Sequence, residues 1–257
     1  ASDVYKRQVF MNQISFIRKI SLWIFIAPFI SVNLCLILSQ IFYYTGGSGV
    51  EPGSYFNGWR IFASGDAIGE RGIPWIIPYF DGVASISRVV RVFPNYLIFK
   101  PAMWLTGILL IRYWIANNRL LEELGIEDKD IKKIVYFGIS SAVFLIIHSI
   151  FLGVKFDLSI YKLFRRVILV LFIIFEVTAQ FYLIKIFFKN KDKIKEFINT
   201  KILFAKKILV YALIIAAILI FPFLPFSNLK ILKHILEWNY FLGVITFYLL
   251  TYFMWKK

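Results

Sequence analysis

The chain has 257 residues, of which 60% are hydrophobic and 19% aromatic, and its 30 Lys and Arg against 15 Asp and Glu leave a formal charge of +15. So apolar a composition leaves too little polar surface for a soluble domain of this size, which places the chain among integral membrane proteins. The basic residues fall mostly between apolar runs, so they point to lipid headgroups rather than nucleic acid, and the lone Cys35 excludes both an intramolecular disulfide and a cysteine zinc site.

Residues 1–10 precede Met11 and read as a terminal tail outside the fold, leaving residues 11–257 as a single membrane domain. A helix needs about 20 apolar residues to cross the hydrocarbon core, and six stretches qualify: residues 20–43, 97–116, 134–154, 167–188, 208–226 and 235–255. Backbone groups in lipid must bond within their own segment, so these stretches predict an all-α bundle of six spans. The first lacks a small-x-small cleavage site and is too long for a cleavable signal. Asn33 lies at its mid-depth.

Between the first and second spans, residues 45–96 predict one long structured extracytoplasmic loop. It opens on the turn-rich GGSG and EPGS and carries Trp59, Trp75 and Tyr79, aromatics suited to a membrane interface. Within it, Val83, Ile86, Val90 and Phe93 recur at helical spacing. That pattern predicts a short amphipathic helix over 81–93 lying at the interface, with Asp81 as N-cap and Pro94 as stop. Arg88 and Arg91 would sit at headgroup height on that helix. They are candidate lipid-binding residues through charge-assisted bonds to phosphate, the alternative being a solvated face.

Basic residues set the orientation. Arg18 and Lys19 precede the first span, Arg119 to Lys133 lie between the second and third, a lysine-rich run separates the fourth from the fifth, and Lys256 and Lys257 close the chain. With six alternating spans these fall on one side, which predicts both termini in the cytoplasm.

The polar residues inside the spans carry the candidate chemistry. Glu176 in the fourth span is costly in lipid and should face protein, with Gln180 one turn on. His148, in the third, falls at similar predicted depth, so a His148–Glu176 pair facing a polar cavity is one reading, with Asp81 above it. The other reading is interhelical hydrogen bonding that fixes the bundle. With two histidines in the chain, no metal site and no cofactor are expected.

Pro78-Tyr79-Phe80 with Gly82 ends the loop, Pro94 precedes the second span, and Glu237-Trp238 opens an aromatic-rich sixth. This pattern resembles the Frag/DRAM/Sfk family of six-span membrane proteins. Members carry a Pro-aromatic-Ile-Ser type motif in the first external loop, here PYFDG, and often a Glu-Trp near the start of the last span. The resemblance implies cytoplasmic termini and a role in lipid handling, with no catalytic mechanism shared across the group. The expected function is therefore a multi-pass protein that binds or organises membrane lipid, without established catalysis, anionic lipid being one candidate partner. The alternatives are a membrane-embedded lipid-remodelling enzyme built on His148, Glu176 and Asp81, or a small transporter.

Overall fold

A computed structural model describes residues 2–46, 77–91, 93–153, 159–220 and 229–256. Most of the predicted loop over 45–96 lies outside the described residues. The helices are α1 (Ser2–Gly46), α2 (Pro78–Asp81), α3 (Ile86–Val89), α4 (Asn95–Glu123), α5 (Ile131–Phe151), α6 (Ser159–Lys189), α7 (Lys191–Ile194), α8 (Thr200–Ile220) and α9 (Lys230–Met254). No strand forms among the described residues, and one antiparallel bridge joins Ile198 to Trp255.

Five helices are long and apolar enough to cross a membrane: α1 over Phe10–Gln40, α4, α5, α6 over Leu163–Lys189, and α8 over Thr200–Leu219. The protein is thus an all-α, multi-pass membrane protein. Large apolar side chains such as Trp23, Ile30, Ile108, Ile174, Ile215 and Phe253 point outward, the pattern expected when lipid replaces water around the helices. α9 matches the others in length, but Glu237, Asn239 and its tyrosines dilute its apolar character.

The long helices close a ring in chain order. α1 packs on α4, α4 on α5, α5 on α6, α6 on α8, α8 on α9, and α9 back on α1. One end of this ring carries the segment from Pro78 to Pro94 and is called the cap end. The other carries Asp128 to Lys133 and the lysines around α7, and is called the lysine end.

Several boundaries differ from the apolar runs, each for a packing reason. α4 continues past residue 116 because Tyr113, Trp114, Asn117, Leu120 and Leu121 keep one face buried for two further turns. α8 begins eight residues earlier than the apolar run over 208–226. Asn199 Oδ1 accepts the Lys201 N–H at 3.0 Å and starts the helix, so Lys201, Lys206 and Lys207 lie in it rather than in a loop. At the same end Phe10 packs edge-on against Phe197, ring centroids 4.8 Å apart.

The helix predicted over 81–93 does not form. Two single turns replace it. Asp81 ends α2 instead of capping a helix that follows; its Oδ2 accepts the Ile77 N–H at 2.6 Å and its Oδ1 the Val83 N–H at 2.9 Å. Gly82 then takes φ +61°, a left-handed conformation that ends the turn and that glycine adopts at low cost. Its missing Cβ also lets the chain pass the Ile231 carbonyl, which a Cβ would meet at 2.3 Å. Val90 is buried whereas Phe93 is 57% exposed, so the predicted stripe is split between interior and surface.

At the lysine end, Asp130 pairs with Lys133 and Lys185 at 2.7 Å each, and Asp128 with Lys189 at 2.8 Å. These contacts tie the α4–α5 turn to the end of α6. Hydrogen bonds from Lys133 and Lys185 hold the Asp130 carboxyl below its ordinary range, as those from Lys189 and the Asp130 N–H do for Asp128. A lowered folded-state pKa means the contribution is full above the unfolded carboxyl value, about 4, and disappears as pH falls through the lowered one. Asp130→Asn should therefore be less stable than the parent at neutral pH. The two melting curves should converge in acid below about pH 4, as read by thermal unfolding in detergent.

Candidate functional site

Three groups of polar residues stand out, at the middle, at the cap end and in a notch beside the cap. The middle group forms around Glu176, which lies past the midpoint of α6 toward the lysine end and is 1% exposed. Ser141 of α5 contacts Glu176 Oε2 at 2.6 Å. Gln180, one turn along α6, donates to Oε1 at 3.0 Å and to the Val244 carbonyl of α9 at 3.3 Å. The Tyr248 hydroxyl of α9 donates to Oε1 as well.

Tyr113 of α4 stacks edge-on with Tyr248, ring centroids 5.0 Å apart, and its hydroxyl lies 3.4 Å from Thr251 Oγ1. Lys206 Nζ donates to the same Thr251 oxygen at 2.7 Å and sits 3.9 Å above the Phe247 ring. Trp114 Nε1 faces the Glu176 carboxylate without a well-formed hydrogen bond, and Asn117 Oδ1 and Gln180 Oε1 are buried with no hydrogen-bond partner among the described residues.

The approach of α4 to α5 depends on Gly138. A Cβ there would meet the Trp114 ring at 2.3 Å. With no side chain in the way, Trp114 is fully buried against α5, and Ser141 can reach both Glu176 and, at 2.8 Å, the Gly138 carbonyl.

The pairing of His148 with Glu176 is not formed. His148 lies two turns, about 10 Å, nearer the cap end than Ser141, the α5 residue that meets the carboxylate. α6 begins at Ser159, so Glu176 sits deeper than an apolar run starting at 167 suggests. His148 instead adjoins Arg165. Asp81 spends both carboxylate oxygens on backbone N–H groups of the cap. The three candidate catalytic residues therefore occupy three different places.

In the cap, irregular backbone is satisfied by side chains. His234 Nδ1 bonds the Gly82 carbonyl at 2.8 Å, and Trp238 Nε1 and Asn239 Nδ2 donate to Ala84 and Tyr79 carbonyls at 2.8 Å each. Ser87 N–H donates to Glu237 Oε1 at 3.4 Å, and Tyr79 OH to Asn33 Oδ1 at 3.1 Å. Asn95 Nδ2, with two hydrogens to share, lies within bonding distance of three acceptors, the Cys35 and Val89 carbonyls and Ser39 Oγ, at 2.9, 2.7 and 2.7 Å. PYFDG and Glu237-Trp238, far apart in sequence, meet where the Tyr79 and Trp238 rings pack edge-on, centroids 5.0 Å apart. Asn33 is a strut of this cap and Gln180 a ligand of Glu176, so the two intramembrane amides serve different groups.

Beside the cap lies a basic notch, formed by the turn after α3, the start of α4, the end of α5 and the start of α6. Arg88 is half-buried near Glu237, while Arg91 reaches the surface. Partial burial and then the like charges of Arg88 and Arg165 lower the Arg91 pKa from its ordinary value, though a guanidinium remains charged. Arg165 lies over the Tyr161 ring at 5.5 Å, and Lys100 donates to the Ile150 carbonyl at 3.1 Å. Arg91 and Arg165 form no ion pair among the described residues, and Arg165 Nε and His148 Nδ1 are buried without a hydrogen-bond partner there. Described ion pairs lie at the lysine end.

Sequence reasoning missed Arg165, Lys206 and Tyr248. The signal for Lys206 was present: Leu203, Lys206, Val210 and Leu213 fall on one helical stripe, and all four are buried. No sequence signal joins Arg165 to Arg91, since their meeting depends on how α6 crosses the cap end. Comparison with protein-family models, curated proteins and solved structures gives no match to this chain.

Gly138→Ala should destabilise the bundle by about 1–3 kcal/mol through overpacking on Trp114. Gly243→Ala, whose Cβ would meet only the mobile tip of Leu213 at 2.8 Å, should be near neutral because the gain in helix propensity offsets the contact. Thermal unfolding of the two variants side by side checks the difference.

Proposed function

We propose that this protein binds and organises anionic lipid at the cap end of the bundle, without catalysing a reaction. The observation that carries this reading is that Arg165 lies near enough to Arg91 for their like charges to act on each other, with no ion-pair partner for either among the described residues. A lipid phosphate supplies the missing anion. Its oxygens accept charge-assisted hydrogen bonds from guanidinium groups, with His148 and Lys100 at the border of the same notch. The acyl chains then run along the apolar outer faces of α5 and α6, where Ile150, Leu163, Phe164 and Val167 are exposed. Arg91 is the leading ligand and Arg88, partly answered by Glu237, the lesser one.

In this reading α9 is the sixth crossing and the cap end is extracytoplasmic, with both termini in the cytoplasm. The lysines gathered at the other end support that orientation. The contact of Tyr79 in PYFDG with Trp238 of Glu237-Trp238 supports a place near the Frag/DRAM/Sfk proteins. The alternative of an enzyme built on His148, Glu176 and Asp81 lacks a common pocket for the three.

Arg91→Ala combined with Arg165→Ala should weaken binding of an anionic phospholipid by about tenfold or more, since each charge-assisted bond is worth about 1.5–3 kcal/mol. Binding of a zwitterionic lipid and thermal stability without added lipid should change little. Equal affinities of parent and double variant for anionic vesicles would defeat the reading. Orientation is checked with impermeant thiol reagents in intact cells, where the native Cys35 is buried and silent. A cysteine replacing Phe80, which is 80% exposed, should label from outside, and one replacing Lys193 only after lysis.

A further inference from the structure

We propose that Glu176 is a proton-binding site in the middle of the bundle, at which Ser141 reverses its hydrogen bond when the proton arrives. The argument rests on counting hydrogens. Glu176 Oε1 has two fixed donors, the Tyr248 hydroxyl and one N–H of Gln180. The other Gln180 N–H is spent on the Val244 carbonyl. Oε2 meets Ser141 Oγ, at 2.6 Å. Ser141 has one hydroxyl hydrogen but stands within bonding distance of two acceptors, Oε2 and, at 2.8 Å, the Gly138 carbonyl one turn back. It can donate to one of them at a time.

Two complete arrangements follow on the same heavy atoms. With Glu176 as carboxylate, Ser141 donates to Oε2. With Glu176 as acid, an O–H bond has formed at Oε2 with a hydrogen ion drawn from solvent; that O–H donates to Ser141 Oγ, and Ser141 turns its own hydrogen to the Gly138 carbonyl. The O···O distance of 2.6 Å suits either direction. No donor at Oε1 changes partner, so the proton has one address, Oε2. A carboxylate held only by donors would leave the Gly138 carbonyl as a mere bystander. Here that carbonyl is the acceptor that lets the acid form keep every hydrogen bond.

The titratable groups facing Glu176 are Tyr248 from α9, which touches it, and Tyr113 from α4, stacked on Tyr248. Lys206 from α8 stands further along, joined through Thr251. α5 contributes Ser141, a hydroxyl that does not titrate in this range.

Infrared spectra of the full chain in lipid vesicles, recorded from about pH 4, near the ordinary carboxyl value, up to about pH 10, test the proposal. The difference between parent and Glu176→Gln isolates the Glu176 carboxylic-acid C=O band. The band should be present in acid, fade reversibly as pH rises, and return on acidification. Ser141→Ala should move it to higher wavenumber, because the acid O–H loses its acceptor, whereas Ser141→Thr should leave it in place. A Glu176 band absent at every pH, or constant at every pH, would overturn the proposal, as would a band that ignores Ser141→Ala. Should Glu176→Gln fail to fold, carboxyl-labelled glutamate in the parent and in Ser141→Ala gives the same reading.

Discussion

A carboxyl group placed among apolar helices must be answered by hydrogen bonds from its neighbours, and the arrangement of this bundle follows from how Glu176 is answered. In lipid no water competes for such a group, and a buried polar atom left alone costs about 1–3 kcal/mol, more if charged. Glu176 meets partners on α5, α6 and α9, and α4 backs them with Tyr113 and Trp114. Those contacts fix the rotation of each helix about its own axis, because Ser141, Tyr248 and Gln180 must all point to one place. The apolar outer faces impose no such register. Gly138 belongs to the same constraint, since a side chain there would push Trp114 away and lift α4 off α5.

The cap end solves a different problem with the same means. Its backbone between residues 77 and 94 makes only single turns, so several carbonyls have no helical partner. α9 supplies them with His234 and Trp238, four apart and so on one side of its first turns, and with Asn239 beside them. Asn95 does the same at the start of α4, tying α1, α3 and α4 through one amide. The polar opening of α9, which lowers its resemblance to an ordinary span, is what holds the cap in place.

This division explains what could be read from the chain alone. Apolar runs marked the long helices, because the requirement for internal backbone bonding leaves helix as the only outcome. The burial of Glu176 and its link to Gln180 were legible for the same reason. Depth was not. A run of apolar residues reports where hydrocarbon begins, whereas α4, α6 and α8 extend beyond it along faces that alternate polar and apolar residues. An error of eight residues at the start of α6 was enough to set His148 opposite Glu176 in place of Ser141. The helix expected over 81–93 failed because spacing of apolar residues cannot distinguish a stripe from two turns broken by Gly82, where the conformation is chosen by the Ile231 backbone of a distant helix.

The two ends of the bundle also differ in how charge is answered, and the difference is chemical rather than one of number. At the lysine end acidic residues are built in: Asp130 faces Lys133 on α5 and Lys185 on α6, and Asp128 faces Lys189 on α6, pairs whose exposed lysines water screens and that hold a turn at modest gain. In the notch at the cap end Arg165 lies over the Tyr161 ring beside the buried His148, with Arg91 nearby and Lys100 at the border. A lysine there would be hydrated and could swing away; a planar guanidinium stacked on an aromatic ring keeps its donors aimed. The like charges of Arg91 and Arg165 and the orphaned buried nitrogens of Arg165 and His148 give the notch an electrostatic cost. Among the described residues, Asp128 and Asp130 supply carboxylate partners at the lysine end, whereas Arg91 and Arg165 at the cap end have none.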